Sequence, residues 1–230
     1  MKKAERWLQE TLHYEFQDAE LFRQALTHRS ATNHNNERLE FLGDAVLDFV
    51  ISEVVYTARP EAPEGDLSKL RSLLVKDESL AQIGLELGLG EFLILGSGEL
   101  KTGGHRRESI LADAVEAIFG AVYLDRGFVA AKGIILRVFE ERIRDLPDVK
   151  DLRDPKTRLQ EWLQARKMAL PDYELIDVAG QDHKKRFSVS CSVPERSLVT
   201  EGESTTLRKA EQKAARKMIA LLTEAGNEYP

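Results

Sequence analysis

The chain has 230 residues, of which 42% are hydrophobic and 31% charged, with a net charge of −6 and one cysteine. That is apolar enough for packed cores, long enough for one large or two modest domains, and unable to form an internal disulfide. Its aliphatic runs are broken by charge well short of a membrane span, and the amphipathic start MKKAERWLQE lacks a signal-peptide core, so the sequence reads as soluble and cytoplasmic.

Up to about Arg144 the apolar spacing is helical. It predicts helices over Lys3–Thr11, Ala19–Leu26, Asn36–Ala58, Asp66–Val75, Asp77–Leu87, Ser109–Leu124 and Phe128–Arg144, with Asp66 and Ser109 placed to cap theirs. Lys101, His105, Arg106 and Arg107, around the glycine-rich Gly96–Gly104 segment, read equally as nucleic-acid contacts or as a surface loop. The polar run LPDVKDLRDP, with two prolines and no apolar face, predicts a linker over 146–155 between a domain over 1–145 and one over 156–225. Beyond it come a helix at Lys156–Arg166, strands near Tyr173–Ala179, Arg186–Val193 and Ser197–Glu203, and a closing helix over Thr206–Glu224. Cys191 alternates with serines in FSVSCSV and reads as a buried strand residue. The fold class is an all-α domain followed by a small α+β domain of order α-β-β-β-α.

Net negative charge argues against indiscriminate binding to polyanions, but the average conceals a division. There are 20 Lys and Arg against 27 Asp and Glu up to Arg153, and 13 against 12 after it. In the second part the basic residues gather at His183–Arg186 and at Arg208, Lys209, Lys213, Arg216 and Lys217, a patch rather than a general excess.

The acids of the first part are arranged. In NERLEFLGDAVLDF, at roughly 100° per residue, Glu37, Glu40 and Asp44 fall within about 60° of one another. Leu39, Leu42, Val46, Phe49 and Val50 gather on the other side. A macrodipole accounts for acids in a first turn, but Asp44 lies two turns in. Asp48 is one turn further along and reads as solvated or structural. In SILADAVEAIFGAVYL the only charges are Asp113 and Glu116, in an otherwise small and apolar helix. Carboxylates in such a setting need a shared cation or a buried basic partner. With no Cys-x-x-Cys and no His one turn from either cluster, the donor set suits a hard dication rather than zinc or a di-iron centre. Water activation and in-line displacement at phosphate are what such a site does best.

The run NERLEFLGDAVLDF, together with ALTHRS at Ala25–Ser30, EGDLSKLR at Glu64–Arg71 and LADAVEAIFGAVYLD at Leu111–Asp125, resembles bacterial ribonuclease III in order and spacing. The resemblance covers nearly the whole chain and implies an all-α endonuclease domain followed by a double-stranded-RNA-binding domain. It implies that Glu40, Asp44, Asp113 and Glu116 bind Mg2+, or Mn2+ in its place, with Glu37 and Glu64 as supporting catalytic acids beside Asp44 and Glu116. Asp66, two residues from Glu64, reads instead as a helix cap, which leaves Glu64 free to face a cleft. The reaction implied is hydrolysis of double-stranded RNA to 5′-phosphate and 3′-hydroxyl ends with short 3′ overhangs, in ribosomal and messenger RNA processing. A homodimer is implied too, with Phe41, which projects beside the acidic stripe, as the interface candidate.

In the second domain the marks are KTRLQEWL at Lys156–Leu163, Gly180 with His183, and RKAEQKAA at Arg208–Ala215. Thr157, Gln160 and His183 would reach minor-groove 2′-hydroxyls, and Arg208 and Lys209 phosphates across the major groove. The run Gly202-Glu-Ser204-Thr-Thr-Leu207-Arg208 departs from the family's Gly-x-Gly-x-Ser followed by two basic residues. With Leu207 in a basic position, RNA binding is expected to be weaker and less salt-sensitive. Two other classes of function compete. One is a double-stranded-RNA-binding regulator that does not cut, and the other a helical phosphohydrolase acting on nucleotides. The intact acids disfavour the first and the C-terminal module the second.

Overall fold

The computed structural model describes residues 1–148, 153–180 and 185–224. The chain divides into two compact units, Met1–Pro147 and Asp148–Pro230. Among the described residues, no helix is long and apolar enough to cross a membrane.

The first unit is built from helices α1 (Lys2–Leu12), α2 (Ala19–Ala25), α3 (Glu37–Ala58), α4 (Glu64–Val75), α5 (Asp77–Glu86), α6 (Ser97–Lys101), α7 (Glu108–Val138) and α8 (Glu140–Arg144). Its core is the α3–α7 pair with α5 laid on α7. Leu39, Val46, Leu47, Val50, Ile51 and Val55 are buried from α3, and small residues such as Ala112, Ala114, Ala117 and Ala121 from α7. Two glycines set how close the pair comes. A Cβ on Gly43 would stand 1.8 Å from the Glu116 carbonyl oxygen, and one on Gly120 would stand 2.1 Å from that of Leu39. No side chain larger than hydrogen fits at either point.

The periodicity of α3 holds for Leu39, Val46 and Val50, which are buried, whereas Leu42 is half-buried. Phe49 is 60% exposed rather than packed with Leu39 and Val50, its ring lying edge-on to Phe128 of α7 at 5.4 Å. The expected break between helices at 124–128 is a kink inside α7, where Gly127 takes φ 75° and Arg126 φ −138°. The Asp125 carboxylate fixes that kink. It accepts hydrogen bonds from the Tyr14 hydroxyl (2.6 Å) and from the backbone N–H groups of Gln17 (3.0 Å) and Asp18 (2.9 Å), tying the α1–α2 connection to α7.

Asp66 is not the cap of α4, which starts at Glu64 with Pro63 before it. It is a buried residue of the first turn, bonded to Lys69 at 2.8 Å. Pro63 holds the position before the helix in an extended conformation (φ −66°, ψ 157°), and no side chain caps it. The Gly96–Gly104 segment is likewise folded rather than an open loop. It forms α6 and a single 3-10 turn at Gly104–Arg106, braced by Arg107 on Glu99 at 2.7 Å.

The second unit runs α9 (Pro155–Ala165), β1 (Asp172–Ala179), β2 (Arg186–Val193), β3 (Leu198–Ser204) and α10 (Leu207–Glu224). The strands form one antiparallel sheet in the order β1-β2-β3, with Cys191 paired to Tyr173 and to Thr200. Alternation buries Val189, Cys191 and Val193, the last two in a core with Trp162, Leu163, Ala214, Ala215 and Met218, while the intervening serines of β2 stay half-buried. Gly202 again marks a close approach, since a Cβ there would stand 2.1 Å from the Ala210 carbonyl of α10.

The α3–α7 contact predicts a sharp asymmetry between glycines. Gly43→Ala should lose about 3 kcal/mol or more of stability in urea unfolding, as overpacking against rigid backbone does. Gly133→Ala, where nothing lies within 4 Å on an exposed turn of α7, should leave stability unchanged or raise it by up to about 1 kcal/mol.

Candidate acidic site and basic face

The α3–α7 crossing determines which acids meet. Glu40 and Asp44 flank Gly43 on α3, and Asp113 and Glu116 occupy consecutive turns of α7, with the Glu116 carbonyl itself at the Gly43 contact. A small cleft is lined by His28, Arg29, Asn36, Glu37, Glu40 and Asp113. The acids feel one another. Burial pushes the Glu116 carboxyl up to about 8, reinforced by Asp44, then Glu40, Asp113 and Asp77. Glu40 is raised by burial and then by Asp113 and Glu37, with Arg29 opposing. Asp113 is raised by burial and then by Asp77, with His28 and Arg29 opposing. Asp44 is raised by burial and by Asp48, against Arg71.

Glu37, Glu40, Asp44, Asp113 and Glu116 are therefore drawn to one region, but not into a closed ligand set. Among the described residues, no group of three His, Cys, Asp or Glu side chains is placed to hold a metal ion. The two observations are compatible, because repulsion acts over several ångströms whereas Mg2+ needs oxygens at about 2 Å. An all-oxygen, half-buried set that resists full ionisation is what a hard dication relieves, so the donor chemistry fits such an ion.

Glu64 stands apart. It begins α4, is exposed, and accepts a hydrogen bond from the Ser68 hydroxyl at 2.8 Å. It is not among the charges that perturb Glu40, Asp44, Asp113 or Glu116. Asp48 faces Arg71 at 3.9 Å, and Arg71 also donates to Ser52, so Asp48 links α3 to α4. The sequence reading missed His28, Arg29, Asn36 and Asp77. The first two lie in the ALTHRS run, and a cation so near an acidic stripe was the available signal. Asp77 gave none, since helix starts commonly carry an acid.

The second unit presents a basic face held by two carboxylates, Asp154 and Glu211. Asp154 caps α9 through the Lys156 N–H at 2.9 Å, accepts from Gln212 at 2.7 Å, and lies 3.8 Å from Arg208. Lys156 meets Glu211 at 2.6 Å. These bonds set the start of α9, with Thr157 and Gln160 exposed, beside the start of α10, with Arg208 and Lys209 exposed. Lys213 and Lys217 lean instead on the β3 carbonyls of Glu203 (2.9 Å) and Glu201 (2.7 Å). Leu207 occupies the first position of α10 and is 43% exposed. His183 lies outside the described residues.

The raised Glu116 carboxyl gives stability a definite pH dependence in chelator. Between about 4.5 and about 8 the native state holds a proton that the unfolded chain has released, so stability falls as pH rises through that window. Thermal unfolding in chelator should show this fall, Glu116→Gln should flatten it, and Mg2+ should raise the midpoint more at the alkaline end than at the acid end. A slope identical in wild type and Glu116→Gln contradicts the assignment.

A family model described as ribonuclease-III-like matches residues 18–143, and one described as a double-stranded RNA binding motif matches residues 155–222. Ribonuclease 3 of Alkalilimnicola ehrlichii is 52% identical over 94% of this chain and 95% of its own length. Ribonuclease 3 of Pseudoalteromonas translucida is 52% identical over 96% and 98%. The nuclease domain of ribonuclease III from Campylobacter jejuni, solved in a study of flexibility in a region involved in dimer formation, covers 59% of this chain and 95% of its own. It has a TM-score of 0.58 at 49% identity. Both modules, in this order and across almost the full length of these relatives, show that the chain belongs to the ribonuclease III family.

Proposed function

We propose that this chain cuts double-stranded RNA by metal-assisted hydrolysis, leaving 5′-phosphate and 3′-hydroxyl ends with short 3′ overhangs. It would act in the cytoplasm on ribosomal-RNA precursors and messenger RNA. The observation that carries the reading is the crowding of Glu40, Asp44, Asp113 and Glu116 across the α3–α7 contact, in a chain that also carries a duplex-RNA-binding unit. Those residues would hold Mg2+ or Mn2+, with Glu37 beside them. When bound, the ion supplies a nucleophilic water at neutral pH and charge to steady the leaving 3′ oxygen. The protein contributes the positions of its carboxylates, fixed by a helix pair that cannot slide, and a half-buried setting in which their charge acts strongly. Thr157, Gln160, Arg208 and Lys209 would grip the duplex by shape and phosphate rather than by sequence.

A homodimer is supported by an unpartnered apolar stripe. Phe41 is 80% exposed, Phe49 60% and Tyr56 71%, on one face of α3, with Val129 of α7 at 84%. Beside them Leu42, Ala45, Val46, Phe49, Tyr123 and Phe128 line an open groove of about 370 Å³. Exposed apolar area of this kind marks an association surface. A two-fold pairing through it would set two acidic clefts against one duplex, one for each strand.

Glu116→Gln should bind a long RNA duplex with unchanged affinity and cleave it at least about 100-fold more slowly in Mg2+, the scale of losing one group that stabilises the transition state. Cleavage at the wild-type rate removes Glu116 from the set, and a wild-type protein that binds duplex RNA without cutting it favours the non-cleaving regulator. Phe41→Ala should shift the sedimentation profile at micromolar concentration from dimer toward monomer. An unchanged dimer places the interface elsewhere.

A further inference from the structure

His28 lines the acidic cleft, and its ring is held in one tautomer by a network around Ser30. The loop that carries it is docked on a distant segment. The His28 N–H donates to the Ile94 carbonyl at 3.0 Å and the Ile94 N–H donates to the Leu26 carbonyl at 2.8 Å. Gly96 closes the contact, because a Cβ there would stand 2.2 Å from the Ser30 carbonyl oxygen. On this platform the Gly96 N–H donates to the Ser30 hydroxyl oxygen at 2.9 Å, which leaves the hydroxyl hydrogen free to point at His28 Nδ1, 2.8 Å away. The Ser30 backbone N–H is aimed at the same nitrogen at 3.2 Å. A backbone N–H can only donate, so Nδ1 must accept, and a neutral imidazole that accepts at Nδ1 carries its hydrogen on Nε2.

Nε2–H is then the ring's remaining polar group. No protein acceptor for it is found among the described residues, and the cleft that His28 shares with Arg29, Asn36, Glu37, Glu40 and Asp113 is the space beside it. A phosphodiester entering a cleft of carboxylates is repelled by them and needs donors as well as cations. Arg29 is held to Glu37 at 3.3 Å, so part of its charge is already answered. We propose that His28, locked by Ser30, presents Nε2–H as a fixed hydrogen-bond donor to a non-bridging oxygen of the RNA phosphate that is cut. The ring neither takes up nor releases a proton in this role. Its value is preorganisation, since the donor is oriented before the substrate arrives and no reorganisation accompanies reaction.

The inference rests on the nuclease reading above, and its test separates the two. In the full-length chain without metal or RNA, nitrogen-15 shifts of the neutral His28 ring should report Nε2 as protonated and Nδ1 as bare, in Ser30→Ala as in wild type, because that variant keeps the backbone N–H that donates to Nδ1. A ring protonated at Nδ1 overturns the proposal whether or not the protein is a nuclease. In single-turnover cleavage of a duplex at saturating protein and Mg2+, His28→Ala should slow the rate constant by about 100-fold, as loss of one such donor does. His28→Gln, whose amide can restore an N–H at the same reach, should recover at least about tenfold of it, with RNA affinity in chelator unchanged for both. Cleavage by His28→Ala within twofold of wild type, or a loss confined to RNA affinity, overturns the proposal while leaving the nuclease reading intact. A wild-type protein that does not cleave overturns the nuclease reading and, with it, this one.

Discussion

The backbone contact at Gly43 and Gly120 is the constraint on which the rest of the first unit depends. Two helices meet there with carbonyl oxygens where side chains would normally stand, so their axial register and rotation are fixed by hard repulsion rather than by adaptable packing. Asp44 is next to one of these glycines and Glu116 supplies the carbonyl that touches it. The acids are therefore neighbours because the helices have no other way to fit. Small residues along α7 extend the same close approach over several turns.

That geometry has an electrostatic cost, and the cost is legible in the carboxyls themselves. Glu40, Asp44, Asp113 and Glu116 are all raised, in each case first by burial and then by other acids, with His28, Arg29, Arg71 and a backbone hydrogen bond at Asp113 opposing. A structural cluster would place a buried arginine among them. Here, among the described residues, Arg29 is exposed and bonded to Glu37, and Arg71 faces Asp48. The region is built to stay short of positive charge until something supplies it, which distinguishes a site from an ion-pair network.

Much of this was readable from residues alone. Three-in-a-helix acids at Glu37, Glu40 and Asp44, and lone charges in an alanine-rich run at Asp113 and Glu116, announce themselves by period and by contrast with their surroundings. So does the alternation of β2 around Cys191. What the sequence hides is anything decided by partners from elsewhere in the chain. Phe49 has the right period for the core, but it lies against Phe128 at the edge of an open groove instead. Asp66 resembles a cap, yet Pro63 starts the helix a turn earlier and the carboxylate is buried against Lys69 instead. Asp77 and His28 face the acids only because α5 and the Leu26–Ile94 contact bring them there. Glu64 shares a helix start with Asp66 and nothing more local could say that it stands clear of the cluster within one chain.

The second unit follows the same logic with opposite charge. Gly202 lets α10 settle on the sheet, and Asp154 joins the two helix starts, so that polar α9 and basic α10 residues share a face. Grip and cut fall to separate units, and the proposal to be tested concerns the cut: that the acids of α3 and α7 would ionise together by sharing captured divalent ions. The most direct test is a crystal of the full chain soaked in Mn2+ and examined by anomalous scattering. The account predicts density between Glu40, Asp44, Asp113 and Glu116, with their carboxylates turned onto it. Carboxylates pointing to separate places with no ion between them would contradict it.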